Sequence, residues 1–265
     1  GVNDPLNATL CEGSDLETFG GFQEYEDETM WNYEVGFKSM YENFSFNAAA
    51  FYTDIEDLQV TLDAGSCSSW VAFNVEEAHT LGVEWELTAY AMDGLLLTFA
   101  GSWIEAEFDS TVKDGDGNIV GGVEDGNRLA SVPELQLSAS ATYTFGAQLF
   151  SSNEMYVSGL VQHVGERYTQ PGDQVNGAGD FQSGLPFGGA TGSEVTSLDL
   201  ELDSYEQLNL SAGILWDTWD AVFYVNNATD ENANTSFNKE RGGRARLAFF
   251  TNQPRTVGLT VRKRF

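Results

Sequence analysis

Two histidines, His79 and His163, are the only imidazoles in the chain, and imidazole is the side chain best suited to move a proton or hold a metal near neutral pH. They stand far apart in sequence, and neither belongs to a motif that sets a base beside a nucleophile. Metal or haem ligation is therefore a minor expectation, and His163 is expected to face water or an aromatic belt. The stretch "DGDGN" puts the oxygen ligands Asp114, Asp116 and Asn118 at alternate positions, as a calcium loop begins. Its sixth position, however, is Ile119 where such a loop needs Gly, and its twelfth is Asp125 where it uses Glu. A hairpin tip is the better reading, with loosely bound calcium as the remaining chemistry. Cys11 and Cys67 lie in loops rich in Gly, Ser and acid, without CxxC spacing, so in an oxidising compartment they are expected to form one disulfide. Trp70, Trp103, Tyr168 and Phe181 fall in or near loops and strand ends, where ring faces can stack on a sugar or a catecholate. An interfacial girdle is the competing role, favoured for Trp103, while Trp70, Tyr168 and Phe181 stand as ligand-facing candidates.

Composition narrows what can position such groups. With 12 Lys+Arg against 41 Asp+Glu the net charge is -29, which repels nucleic acid and excludes it as a partner. The acid gathers in "CEGSDLETFGGFQEYEDE" and "KDGDGNIVGGVEDGN", which read as solvated loops. No run approaches the roughly 20 apolar residues of a membrane helix, but alternating barrel strands escape that criterion. The first residues, "GVNDPLNATLCEG", show neither a basic n-region nor an apolar h-region, so either a mature chain starts here or the chain is an internal piece.

The dominant signal is a period of two. In "ELQLSASATYTF", Leu135, Leu137, Ala139, Ala141, Tyr143 and Phe145 oppose Glu134, Gln136, Ser138, Ser140, Thr142 and Thr144. The closing "PRTVGLTVRKRF" sets Val257, Leu259, Val261 and Phe265 against Thr256, Thr260, Arg262 and Arg264. Such segments number about nine, most of about 10 to 14 residues, whereas soluble strands average about five to six. Spanning a bilayer takes about 9–11 tilted residues. One face carries Leu, Val, Ala and aromatics for lipid; the other carries Ser, Thr, Gln, Glu and Lys for an aqueous lumen. Lys38, Glu84, Glu86 and Arg262 fall on the wet face. Short turns alternate with long connections at about 63–74, 109–132, 169–203 and 228–253, the asymmetry of outer-membrane barrels. The fold class is thus all-β, an antiparallel transmembrane barrel. Because an open sheet leaves unpaired backbone groups in hydrocarbon, further strands are expected from the same or another chain.

The closing "PRTVGLTVRKRF", the earlier "YVNNATDEN", "NYEVGFKS" with "FNAAAFYTDIEDLQV", "LGVEWELTAYAMDGLLLTFAGSWIEAEF" and "VPELQLSASATYTF" together resemble the C-terminal barrel half of TonB-dependent outer-membrane receptors, over most of residues 32–265. The resemblance implies residues 1–265 to be the C-terminal portion of such a barrel, about strands 14 to 22 of an expected 22 or so, with plug and earlier strands absent. It implies active uptake of a scarce nutrient, most readily a ferric siderophore or similar metal chelate, with glycan or cobalamin as alternatives and no covalent chemistry. A non-transporting barrel, an adhesin or a passive porin, is the other class. The implied partners are the TonB complex through the missing plug, the barrel-assembly machinery reading terminal Phe265, and lipopolysaccharide and outer-membrane lipid, with calcium bridging as an option. The implied placement has the C-terminus periplasmic and the long loops extracellular.

Overall fold

The computed structural model describes residues 25–62, 71–146, 154–174, 180–182, 195–197, 201–239 and 247–264. Its elements in chain order are β1 (Thr29–Met40), β2 (Phe44–Leu62), β3 (Val71–Met92), β4 (Leu95–Phe108), β5 (Leu135–Phe145), β6 (Glu154–Val164), β7 (Arg167–Tyr168) and a 3-10 turn (Pro171–Gln174). Then follow β8 (Asp180–Gln182), β9 (Val195–Ser197), β10 (Glu201–Leu202), β11 (Tyr205–Leu215), β12 (Trp219–Asn226), β13 (Asn234–Lys239), β14 (Leu247–Thr251) and β15 (Thr256–Lys263). Nine of them form one antiparallel sheet in the order β1-β2-β3-β4-β5-β6-β11-β12-β15, so every sheet neighbour is also the next long strand along the chain. The remaining six pair as three short ribbons, β7 with β10, β8 with β9, and β13 with β14. Among the described residues β1 and β15 are open edges, and the sheet does not close on itself.

Register follows from the alternation, because a slip of one residue would turn every apolar side chain to the wet side. One hydrogen-bonded row runs Lys38, Asn47, Glu86, Ala100, Ser138, Gln162 and Gln207 across seven strands. The next row, on the opposite face, runs Phe37, Ala48, Trp85, Gly101, Leu137, His163 and Glu206. Val35, Phe37, Val83, Phe99, Val157, Phe223 and Leu259 remain exposed on that second face; a water-soluble sheet would have buried them, whereas lipid accepts them. Two glycines let neighbouring rings lie flat across the sheet. A Cβ on Gly101 would fall 2.5 Å from Trp85 Cζ2, and one on Gly82 would fall 2.7 Å from Phe51 Cζ.

Strand length differs from the sequence-based expectation in one respect. β2 has 19 residues and β3 has 22, so the connection expected at about 63–74 is shorter, with β3 starting at Val71. At about 3.3 Å per residue and a tilt near 40°, β3 rises roughly 55 Å, about twice a hydrophobic band of about 25 Å. The excess stands beyond the bilayer and carries the dry core of the molecule. There Ile55, Leu62, Val71, Phe73, Val75 and Ala78 pack with Phe108 and with Val120 and Val123 of the connection after β4. Phe73 and Phe108 keep 1% exposure and Val75 none, so this part is a small folded body. Composition alone hid this, because the acid around it reads as solvated loop.

Candidate functional site

The sheet is hollowed on the face that carries Lys38, Asn47, Glu84, Glu86, Ser138 and Gln162, an open depression of about 520 Å³. That hollow fixes the concave, inward side, and the apolar face is the convex one. The inward residues arrive by alternation from six strands: Glu34 and Lys38 from β1, Asn47 from β2, Glu84 and Glu86 from β3, Ser102 from β4, Gln136 and Ser138 from β5, Gln162 from β6. Hydroxyls and amides pair across strands, Thr98 Oγ1 with Ser140 Oγ at 2.6 Å, Thr142 Oγ1 with Ser158 Oγ at 2.8 Å, and Asn47 Nδ2 donating to Glu86 Oε2 at 3.4 Å. Three carboxylates, Glu34, Glu84 and Glu86, face one ammonium, Lys38, so the hollow is acidic and shaped to receive a basic, hydrogen-bonding surface. The residues read as wet from the sequence thus share one wall. Arg262 lies on the same face near the short-turn end, where it and Arg264 stand 4.0 and 3.6 Å from the buried carboxylate of Asp220.

At the long-loop end the connections interlock. Gln174 donates to the carbonyl of Arg128 (2.7 Å) and accepts from its N–H (2.8 Å), imitating a strand neighbour. Ser131 N–H donates to Tyr168 O at 2.7 Å. Two arginines sit over tyrosine rings, Arg128 over Tyr168 at 5.6 Å and Arg167 over Tyr205 at 5.9 Å. Asn227, fully buried at φ 50°, ties both ends of the last connection: its Nδ2 donates to Glu231 O and Gln253 O, and its Oδ1 accepts from Glu231 N–H. Sequence reading gave neither Arg167 nor Asn227 a role in the site. Asn227 carried a faint signal, an Asn at a strand end, which tolerates the left-handed conformation.

The other expected residues fall as follows. Tyr168 belongs to the interlocked mouth, under Arg128. Phe181 lies in β8, with its side chain outside what is described. Trp70, Cys11, Cys67 and Phe265 lie outside the described residues. Asp114 caps its own turn, accepting N–H bonds from Asp116 (3.0 Å) and Asn118 (2.8 Å). The Asn118 N–H and side-chain amide hold its carboxyl below the usual range. No group of three or more His, Cys, Asp or Glu with metal-holding geometry occurs among the described residues. Trp103, on the convex face, donates its indole N–H to Glu134 at 2.9 Å. Both histidines also stand on that face, toward the long-loop end. His163 Nδ1 lies 2.9 Å from Glu206. His79 Nδ1 lies 2.8 Å from both oxygens of Asp109, and its Nε2 3.7 Å from Glu105. Burial opposes its charge, but Asp109 and then Glu105 outweigh burial and hold the His79 pKa above its ordinary value. Burial, with the neighbouring charge of Glu105, raises the Glu107 carboxyl.

An open antiparallel sheet with an apolar outside, a polar hollow inside and connections short at one end and long at the other is a section of a large membrane barrel. Residues 4–228 match the family described as TonB dependent receptor-like, beta-barrel, and the chain belongs to that family. The ferric yersiniabactin uptake receptor of Yersinia pestis superposes with a TM-score of 0.64 at 22% identity, over 90% of this chain and 30% of that one. The ferric-catecholate import receptor of Escherichia coli K12 gives 0.59 at 16%, over 91% and 28%. The FrpB iron transporter of Neisseria meningitidis gives 0.58 at 17%, over 91% and 31%. The chain therefore spans less than a third of the length of these structures.

Proposed function

We propose that this chain is the C-terminal portion of an outer-membrane receptor that takes up a ferric siderophore or similar metal chelate with energy supplied through TonB. The observation that carries the reading is the acidic, amide-rich hollow of Glu34, Glu84, Glu86, Asn47 and Gln162. A passive pore needs an open lumen, whereas a plugged receptor needs a wall whose polar groups grip an inserted domain. In this reading the plug, from polypeptide outside this chain, fills the hollow and meets the TonB complex, while further strands cover the edges of β1 and β15. The short turns are periplasmic and the interlocked connections extracellular, with Tyr168 and the Trp70 and Phe181 segments facing cargo. Phe265 serves the barrel-assembly machinery, and the convex face meets lipopolysaccharide and lipid, where loosely held calcium bridges acidic loops. A Cys11–Cys67 disulfide pins two of those loops.

The ferric cargo class is supported by the similar structures, a ferric yersiniabactin uptake receptor, a ferric-catecholate import receptor and an iron transporter. The test is accumulation of radioactive iron from a panel of ferric siderophores by cells expressing the full-length receptor, with and without TonB. TonB-dependent accumulation of at least one chelate is expected. Uptake that persists without TonB, or binding of none of the chelates, contradicts the reading.

A further inference from the structure

Arg262 and Arg264 are inward side chains at the end of β15, an edge of the sheet, and 72% and 73% of their side chains are exposed. They converge on one carboxylate. Asp220, on β12, lies directly across from Arg262 and keeps only 4% exposure. Arg262 Nη1 stands 4.0 Å from its Oδ2 and Arg264 Nη2 stands 3.6 Å from its Oδ1, both too far for hydrogen bonds. Oδ1 is closed to water and has no hydrogen-bond partner. Arg128 and Arg255 each face a carboxylate of their own, Glu166 and Asp230. Here two guanidiniums share one, which leaves a surplus positive charge. The backbone adds a direction. Arg264 N–H donates to Thr218 O at 2.9 Å, so alternation turns the N–H groups of Thr260 and Arg262 toward β12 and those of Leu259 and Val261 toward the open edge.

We propose that the strand covering the β15 edge brings an inward Asp or Glu beside Arg262 and Arg264, completing with Asp220 an ion network that locks the seam of the barrel at its short-turn end. The inference rests on the covering strand of the reading above, not on the cargo. An open edge in hydrocarbon leaves backbone groups unpaired, so polypeptide has to lie along β15. The residue of that strand directly opposite Arg262 shares its face, with the two Cβ atoms about 4.5–5.5 Å apart, within reach of both guanidiniums. A basic residue there would be repelled, and an apolar one would leave the surplus charge unmet. A carboxylate answers both shortfalls. Each guanidinium carries five N–H donors in a fixed fork, so held between two carboxylates it turns one N–H to the newcomer and another to Asp220. Oδ1 then gains the donor it lacks.

The test uses the full-length receptor in lipid and reads amide hydrogen exchange along β15. In the wild type, Leu259 and Val261, whose N–H groups meet the covering strand, should be protected. Arg262→Gln combined with Arg264→Gln is expected to accelerate Val261 about 3- to 30-fold, the loss of two opposite-charge pairs across the seam, while Asp220→Asn leaves Val261 unchanged. Val261 unchanged in the double variant, with only Thr260 and Arg262 accelerated, marks arginines that serve Asp220 alone and overturns the proposal. A covering strand with no Asp or Glu among its inward residues beside Arg262 and Arg264 overturns it as well, whatever a plug supplies. Should the double variant fail to insert, the wild type decides: raising salt from about 0.05 M to about 0.5 M should accelerate Val261 more than Leu259, and an equal response at both contradicts the lock. Rapid exchange of both amides in the wild type contradicts the covering strand itself.

Discussion

Replacing Asn227 by alanine should release the last long connection from the barrel wall. The substitution deletes three side-chain hydrogen bonds, to Glu231 O at 2.8 Å, to Gln253 O at 3.0 Å and from Glu231 N–H at 2.8 Å. Each such bond contributes about 0.5–1.5 kcal/mol net, and more where the abandoned partner stays buried. The residue sits at φ 50°, a conformation that costs a non-glycine, non-Asn residue about 1 kcal/mol more. The sum is about 3–5 kcal/mol, assigned to local opening of the connection because every lost partner lies at its two bases. Amide hydrogen exchange reads it directly. The N–H groups of Ala228 (to Leu208 O) and Asn252 (to Ala233 O) should lose roughly two to three and a half decades of protection. Asn227→Gly loses the same three bonds but accepts the positive φ, so it should recover about 1 kcal/mol relative to alanine. A fall of less than about tenfold in Asn227→Ala would refute the hydrogen-bond reasoning, and equal protection in the two variants would refute the strain component.

Ala141→Arg places a cation on the convex face at mid-strand and should destabilise the membrane-inserted receptor by about 2–4 kcal/mol in lipid denaturant titrations, while Ser138→Arg in the hollow should cost less than about 1 kcal/mol. Gly101→Val drives a Cβ to 2.5 Å from Trp85 Cζ2 and 2.7 Å from Leu137 Cδ2, so thermal unfolding should show a loss of about 1–3 kcal/mol with Trp85 fluorescence shifted. His79, whose pKa is raised by Asp109 and Glu105, stabilises the base of the connection after β4 while protonated. That contribution is full below the ordinary histidine pKa and is lost as pH rises through the raised value. Exchange of the Asp109 amide should therefore accelerate, beyond its intrinsic pH dependence, on raising pH from about 6 to about 8.5. In His79→Gln that extra pH dependence should vanish.

The long strands were legible wherever the two faces differ sharply in chemistry. "ELQLSASATYTF" became β5, with Gln136, Ser138, Ser140, Thr142 and Thr144 all inward. Lys38, Glu84 and Glu86 were legible for the same reason, because parity alone assigns a face once the apolar side is known. The first residues of β3 were not. "VAFNV" carries apolar groups that pack with Val120 and Val123, residues distant in sequence and set among glycines and acids that read as loop. β7 and β10 are two residues each and exist only because their connections meet, so no local periodicity marks them. Arg167 was invisible for a related reason: its side chain donates to the carbonyls of Asn234 and Thr235, 67 and 68 positions away, and no local pattern marks such a contact.

The division of each strand into a hydrocarbon side and a lumen side is tested most directly by a nitroxide scan of Leu135–Phe145 in the full receptor in bilayers, reading collisions with oxygen and with a water-soluble nickel chelate. The expected result is a period of two in antiphase, with oxygen access highest at Leu137, Ala139, Ala141 and Tyr143. Gln136, Ser138, Ser140 and Thr142 should instead show low oxygen access, with any nickel access confined to them. Profiles in phase with one another, or odd positions shielded from oxygen, would contradict a lipid-facing wall.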